Sequence, residues 1–301
     1  LSTSVEFNQT LEESAMAKFT DPDLLEAFKC ARMCLGEDRD RMLMRIAGTV
    51  MIKDESAARQ FIAEISDPAY KLPVLTRLCE QTLQPEDIQN ALRTVNSCSL
   101  EDRPDWSAVL RVISLCAIQD WTGAREAYPY IEDYLSYTRA LILIARLTDS
   151  PEDKAVLKIA TDFIQEKLTG GDVGCVMETI GGELIYIAGS TQPYWLAELE
   201  WHRKSRTARL ARLIDLAVPD FVICTEICMI AETGLVEEAL QAFKGRESSL
   251  EGGEDQYNHS FAIGYAIQNN LTQAREYAEK IRDPAQRALA FAHLFRTRQY
   301  N

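Results

Sequence analysis

AARQFIAEISDP (57–68), NALRTVNSCSLED (90–102), GAREAYPYIEDY (123–134), EALQAFKGRES (238–248) and QAREYAEKIRDP (273–284) are variants of one pattern. Aligned on the small residue near the start of each, they place Ala58, Ala91, Ala124, Ala239 and Ala274 in one column. The first three alanines are 33 residues apart and the last two 35. The positions 15, 12 and 8 residues upstream form a second column: Leu43/Ile46/Val50, Thr76/Cys79/Leu83, Val109/Val112/Cys116, Cys224/Ile227/Ala231 and His259/Ala262/Ala266. These are small or apolar residues at helical spacing. Each unit therefore reads as an apolar-faced helix followed by a second helix that opens on alanine. A period of 33–35 residues with two helices per unit predicts stacked helical hairpins.

Outside the pattern, Ala, Leu, Glu and Arg dominate, and no stretch alternates cleanly enough for a strand. Asp21-Pro22, Asp67-Pro68, Ser150-Pro151 and Asp283-Pro284 put a capping side chain before a proline at the first helical position. Pro85, Pro104 and Pro219 stand beside acids that suit a helix N-terminus. Pro129 falls inside a helical pattern and predicts a kink. The period breaks between Ala124 and Ala239, and the surplus lies in 169–218, where 169–189 is glycine-rich. Gly245–Asp255 is polar, acidic and glycine-paired, and predicts a loop.

The spacing resembles the tetratricopeptide-like (TPR-like) group of helical repeats over roughly 38–134 and 219–297. Phe261, Ala262, Tyr265, Ala274 and Ala278 follow that group's pattern in one unit, whereas Arg45, Arg111 and Glu226 stand where it takes leucine. The Lys and Asn set of a related peptide-carboxylate clamp is not found. The resemblance implies an all-α α-solenoid, a right-handed superhelix of about eight hairpins, with a concave face lined mainly by first helices. The expected organisation is a single domain over 1–301: an N-terminal hairpin over 1–37, repeats over 38–168, an irregular insert over 169–218, and repeats with a C-terminal helix over 219–301.

With 301 residues, 47% apolar and 26% charged, the chain is long enough for a core without disulfides or metal. Asp plus Glu is 46 against 32 Lys plus Arg, a net charge of −14, which disfavours a general nucleic-acid or anionic-membrane binder. No window is apolar enough for a membrane span, and the start lacks the build of a signal peptide. Cys79, Cys116, Cys224 and Cys228 sit in apolar helical patterns, so reduced thiols and a cytoplasmic location are expected. The pairs Cys30/Cys34 and Cys224/Cys228 are at i, i+4 and read as small hydrophobes rather than metal ligands. His202, His259 and His293 have no metal-ligand spacing, and no nucleophile or phosphate-loop motif is present. No cofactor is implied.

One constellation inverts the local charge. His202–Arg212 carries Arg203, Lys204, Arg206, Arg209 and Arg212 without an acid, preceded by Tyr194, Trp195 and Trp201. Arg donors beside aromatic platforms suit an acidic peptide, a carboxylate or a phosphate. The same run also reads as a solvated face paired with acids on neighbouring helices. The expectation is a non-enzymatic scaffold or adaptor that holds a protein or peptide segment. The alternative is an α/α-toroid enzyme, or a regulator binding a small anionic ligand in a pocket near 194–212.

Overall fold

A computed structural model describes residues 19–97, 103–132, 134–156, 194–216, 219–246 and 253–297. The acidic start, the glycine-rich 169–189 and most of the 245–255 stretch lie outside them. The described residues are helical and contain no strand. The helices are α1 Pro22–Met33, α2 Gly36–Val50, α3 Glu55–Glu64, α4 Pro68–Thr82, α5 Pro85–Val95, α6 Arg103–Ala117, α7 Trp121–Ala127, α8 Tyr134–Thr148, α9 Tyr194–Asp215, α10 Asp220–Ala231, α11 Val236–Phe243, α12 Glu254–Ile267, α13 Leu271–Lys280 and α14 Pro284–Thr297. A 3₁₀ turn, Tyr128–Tyr130, follows α7, so Pro129 ends that helix rather than kinking it.

The turn from first to second helix is made the same way at several places. Gln119, Asn269 and Gly234 take positive φ and end their helices. The Gln119 and Asn269 N–H groups reach back to the Cys116 and Ala266 carbonyls. The following N–H groups, of Asp120 and Asn270, reach the Leu115 and Tyr265 carbonyls. This double bond pattern closes a helix C-terminus. Asp120 and Asn270 then start the next helix at once, their side chains accepting from the Gly123 and Gln273 N–H groups. Four residues later, in each case, comes the column alanine.

The return from second to first helix has its own device. Asp40, in the first turns of α2, accepts from the Ser66 and Asp67 N–H groups at 3.1 and 2.7 Å, just before Pro68 opens α4. Asp255 of α12 accepts from the Arg282 and Asp283 N–H groups, both at 2.9 Å, just before Pro284 opens α14. One carboxylate thus ties a helix start to the start of the next first helix, and the proline needs no donor there.

The columns form the core. Ala58, Ala91, Ala124, Ala239 and Ala274 lie in second helices and are at most 1% exposed. The upstream column is buried too, except for half-buried Leu83. Alanine is needed where helices approach closely. Gly264 of α12 marks an extreme case: a Cβ there would lie 2.3 Å from the Ala231 carbonyl oxygen of α10.

The chain divides into two compact units, 72–202 and the combination of 1–71 with 203–301, with the boundaries inside α4 and α9. In the first, α6 packs on α5, α7 and α8. Ala140–Ala145 of α8 are all buried, as expected of a helix apolar on every side. Arg125 grips Asp153 with two hydrogen bonds of 2.8 and 2.7 Å, and Arg139 binds Glu80 at 2.8 Å.

In the second unit, the first helices α10, α12, α14 and α2 are successive neighbours. The helices paired with them are α11, α13, α1 and α3. The N-terminal helix α1 thus stands as the second helix of the hairpin that α14 begins. Arg275 of α13 pairs with Asp23, Arg287 of α14 with Glu26, and the Lys53 ammonium donates to the Phe295 carbonyl. Phe19, Phe28 and Phe61 pack with ring centroids 4.7–5.9 Å apart, which joins α1 to α3. Such aromatic contacts contribute about 0.5–1.5 kcal/mol each beyond area burial.

Candidate functional site

The basic run lies on α9, one unbroken helix, Tyr194–Asp215. The backbone of Tyr194, Trp195 and Trp201 belongs to this helix; their side chains lie outside the described residues. From Arg203 onward the side chains divide into two faces.

The inward face meets α10. Arg203 donates through Nε to the Thr233 carbonyl at 2.8 Å, in the turn after α10. One and two turns further, Arg206 and Arg209 converge on Glu226. Their Nη1 and Nε atoms lie 3.5 and 3.2 Å from its two carboxylate oxygens. The Glu226 side chain is 3% exposed, Arg206 13% and Arg209 55%. A buried carboxylate is costly unless paired, so these guanidiniums have a structural task. Leu210 packs on the same side against the cluster of Ile223, Ile227, Val236 and Phe261.

The outward face is different. Lys204, Thr207, Ala208, Ala211, Arg212 and Asp215 are exposed. Lys204 and Arg212 have no hydrogen-bond or ion-pair partner among the described residues. At the corner between α9 and α10, Ile214, Leu216 and Phe221 expose large apolar surface, 62% and 65% for the last two. The sequence pattern did not single out Leu216 or Phe221, and it put Ile214 on the apolar side of the helix with Leu210, Leu213 and Ala217, where Ile214 is 45% exposed. At a helix end even a residue in register with the apolar stripe can be left uncovered, which only the observed packing identifies. Glu226 was also visible only as a departure from leucine.

Cys30, Cys34, Cys79, Cys116, Cys224 and Cys228 are free and buried. Burial, with a contribution from Glu26, pushes the Cys30 thiol up to about 12. Burial likewise raises Cys116 to about 11, and Cys228 to about 12 with Glu232 adding to it. Such thiols stay protonated at neutral pH and are poor nucleophiles and metal ligands. Among the described residues no group of His, Cys, Asp and Glu side chains is arranged to hold a metal ion, and no helix is long and apolar enough to cross a membrane.

The chain matches no family model, and no curated protein or solved structure is similar enough to it to be matched.

Proposed function

We propose that the protein is a non-enzymatic interaction scaffold: a TPR-like α-solenoid, wound as a right-handed superhelix, that holds an acidic protein segment. The carrying observation is the outward half of α9 and its corner with α10. There Lys204 and Arg212 are unpaired among the described residues, and Ile214, Leu216 and Phe221 at the end of α9 and the start of α10 are exposed. In a chain of net charge −14 such a surface attracts anionic partners locally and repels them elsewhere. The apolar corner supplies the area that an anchor side chain needs. The repeated turn and return devices support a rigid frame, which lowers the ordering cost of binding. Six buried cysteines outside any disulfide suit a reducing, cytoplasmic compartment.

The partner segment is expected to alternate acids with large apolar residues, the acids meeting Lys204 and Arg212. Selection of a displayed random-peptide library on the protein tests this, with the variant carrying Lys204→Glu and Arg212→Glu as counter-target. Enrichment of acidic, apolar peptides that lose about tenfold or more in affinity on the variant is the expected result; tenfold is about 1.4 kcal/mol. Selected peptides without acidic bias, or with equal affinity for both proteins, would remove this face from the account.

A further inference from the structure

The charges of residues 72–148 sort by helix. On α4 from Leu72, on α6 and on α8 the sequence places Arg77, Arg103, Arg111, Arg139 and Arg146 against Glu80 and Asp105. On α5 and α7 the acids lead: Glu86, Asp87 and Glu126 against Arg93 and Arg125. In a chain of net charge −14, the first helices of this stretch are therefore locally basic.

Arg77, Arg111 and Arg146 stand 34 and 35 residues apart, the period of the hairpins, so each takes a matching height on its helix. All three are exposed. Arg77 and Arg111 have no hydrogen-bond or ion-pair partner among the described residues. Arg111 shares the exposed side of α6 with Ser107 and, just past the helix end, with Ile118, which is 73% exposed. Leu110, Val112, Ile113 and Cys116 of the same helix are buried. Arg146 donates through Nη2 to the Glu80 carbonyl at 2.9 Å, and Arg139 takes the Glu80 carboxylate at 2.8 Å. The acid of α4 is thus already paired, and Arg146 meets no carboxylate among the described residues. These bonds tie α8 to α4 one turn from Arg77, and α8 packs on α6, which carries Arg111. The three guanidiniums come from adjoining helices, with Arg146 in the middle.

We propose that Arg111, Arg146 and Arg77 bind an extended acidic peptide that carries a carboxylate at every third residue. Helices packed side by side lie ~8–10 Å apart. Three residues of polyproline II chain advance about 9 Å, at ~3.1 Å each. Carboxylates at i, i+3 and i+6 therefore meet successive arginines, and a guanidinium can take each one with two donors. Ile118 lies at the end of the Arg111 stripe and offers contact to one apolar side chain of the peptide. A nucleic-acid strand fits less well. A DNA strand carries one charge per ~3.4 Å, so most of its phosphates would find no arginine and would face an acidic protein. Ser107, Arg111 and Ile118 also present no aromatic ring on which bases could stack. The surface belongs to the compact unit 72–202 and does not rest on the reading of α9.

The test is fluorescence anisotropy on the full chain with a labelled peptide of repeated Glu-Pro-Pro, whose acids fall at every third residue of a polyproline II chain. Its control is an isomer of the same composition with all the glutamates consecutive. The spaced peptide is expected to bind about tenfold or more tightly than the block isomer. Combining Arg77→Gln with Arg111→Gln weakens it by a similar factor and leaves the melting temperature unchanged, because neither side chain is engaged in the free protein. The variant with Lys204→Glu and Arg212→Glu stays within about twofold at physiological salt, which separates this surface from the outward face of α9. No binding, equal affinity for the two isomers, or binding that survives the Arg77 and Arg111 changes overturns the proposal. Loss on the Lys204 and Arg212 variant instead, or displacement of the spaced peptide by an equal concentration of oligothymidylate, overturns it as well.

Discussion

A leucine at position 226 would complete the apolar pattern of α10; the chain instead buries a carboxylate there and covers it with Arg206 and Arg209. The two arginines are not equivalent to Lys204, although the sequence lists all three in one basic run. Arg206→Ala leaves Glu226 with a single, half-exposed guanidinium. It is expected to cost at least ~1 kcal/mol, below the ~3–5 kcal/mol of a buried pair broken outright. Lys204→Ala, on the exposed face, is expected to stay within about 0.5 kcal/mol. Urea denaturation of both variants measures the difference, and equal costs would contradict the division of α9 into two faces. The run itself was legible, as were the aromatics before it. Its division was not, because the partner that makes Arg206 structural is twenty residues away and looks like any surface glutamate until its burial is known.

The helices were read most fully where a local device repeats. The column alanines and the Asp-Pro starts act within a few residues, and the structure uses them as such, whereas the caps Asp120 and Asn270 before second helices were not singled out. The longer ties were not legible as ties. Asp40 and Asp255 look like ordinary acids near a helix start, yet each accepts two backbone N–H groups of the next helix start, 26–28 residues on. Asp40→Ala and Asp255→Ala each strand two donors, and a charge-assisted bond contributes about 1.5–3 kcal/mol. A loss of about 2 kcal/mol is expected at buried Asp40 and less at Asp255, whose site is more exposed. Thermal melts of the single variants check the order. Asn at either position keeps an acceptor oxygen and should recover part of the loss.

At the scale of the chain, one compact unit is built from both ends, 1–71 with 203–301. Sequence periodicity gives the hairpins but not this pairing: α1 shows an apolar face that any second helix would show, and nothing local says that α14 is its mate. The contact predicts that a circular permutant should fold. Joining residue 301 to residue 1, with new ends in the polar Gly245–Asp255 stretch, makes the α14–α1 hairpin local in sequence. The permutant is expected to keep the melting temperature within a few degrees and to refold faster, since near contacts close sooner than distant ones. Stopped-flow refolding measures it, and a permutant with no cooperative melt would count against the hairpin. In the cell the native connection sets a waiting time. Helix α1 leaves the ribosome well before α14, the helix it pairs with. At about 5–20 residues per second, the roughly 250 residues between Met33 and Pro284 take on the order of ten to fifty seconds to synthesise. Throughout that interval the apolar side of α1 lacks its mate, which makes the nascent chain a client for chaperones and its first helix the segment they should hold.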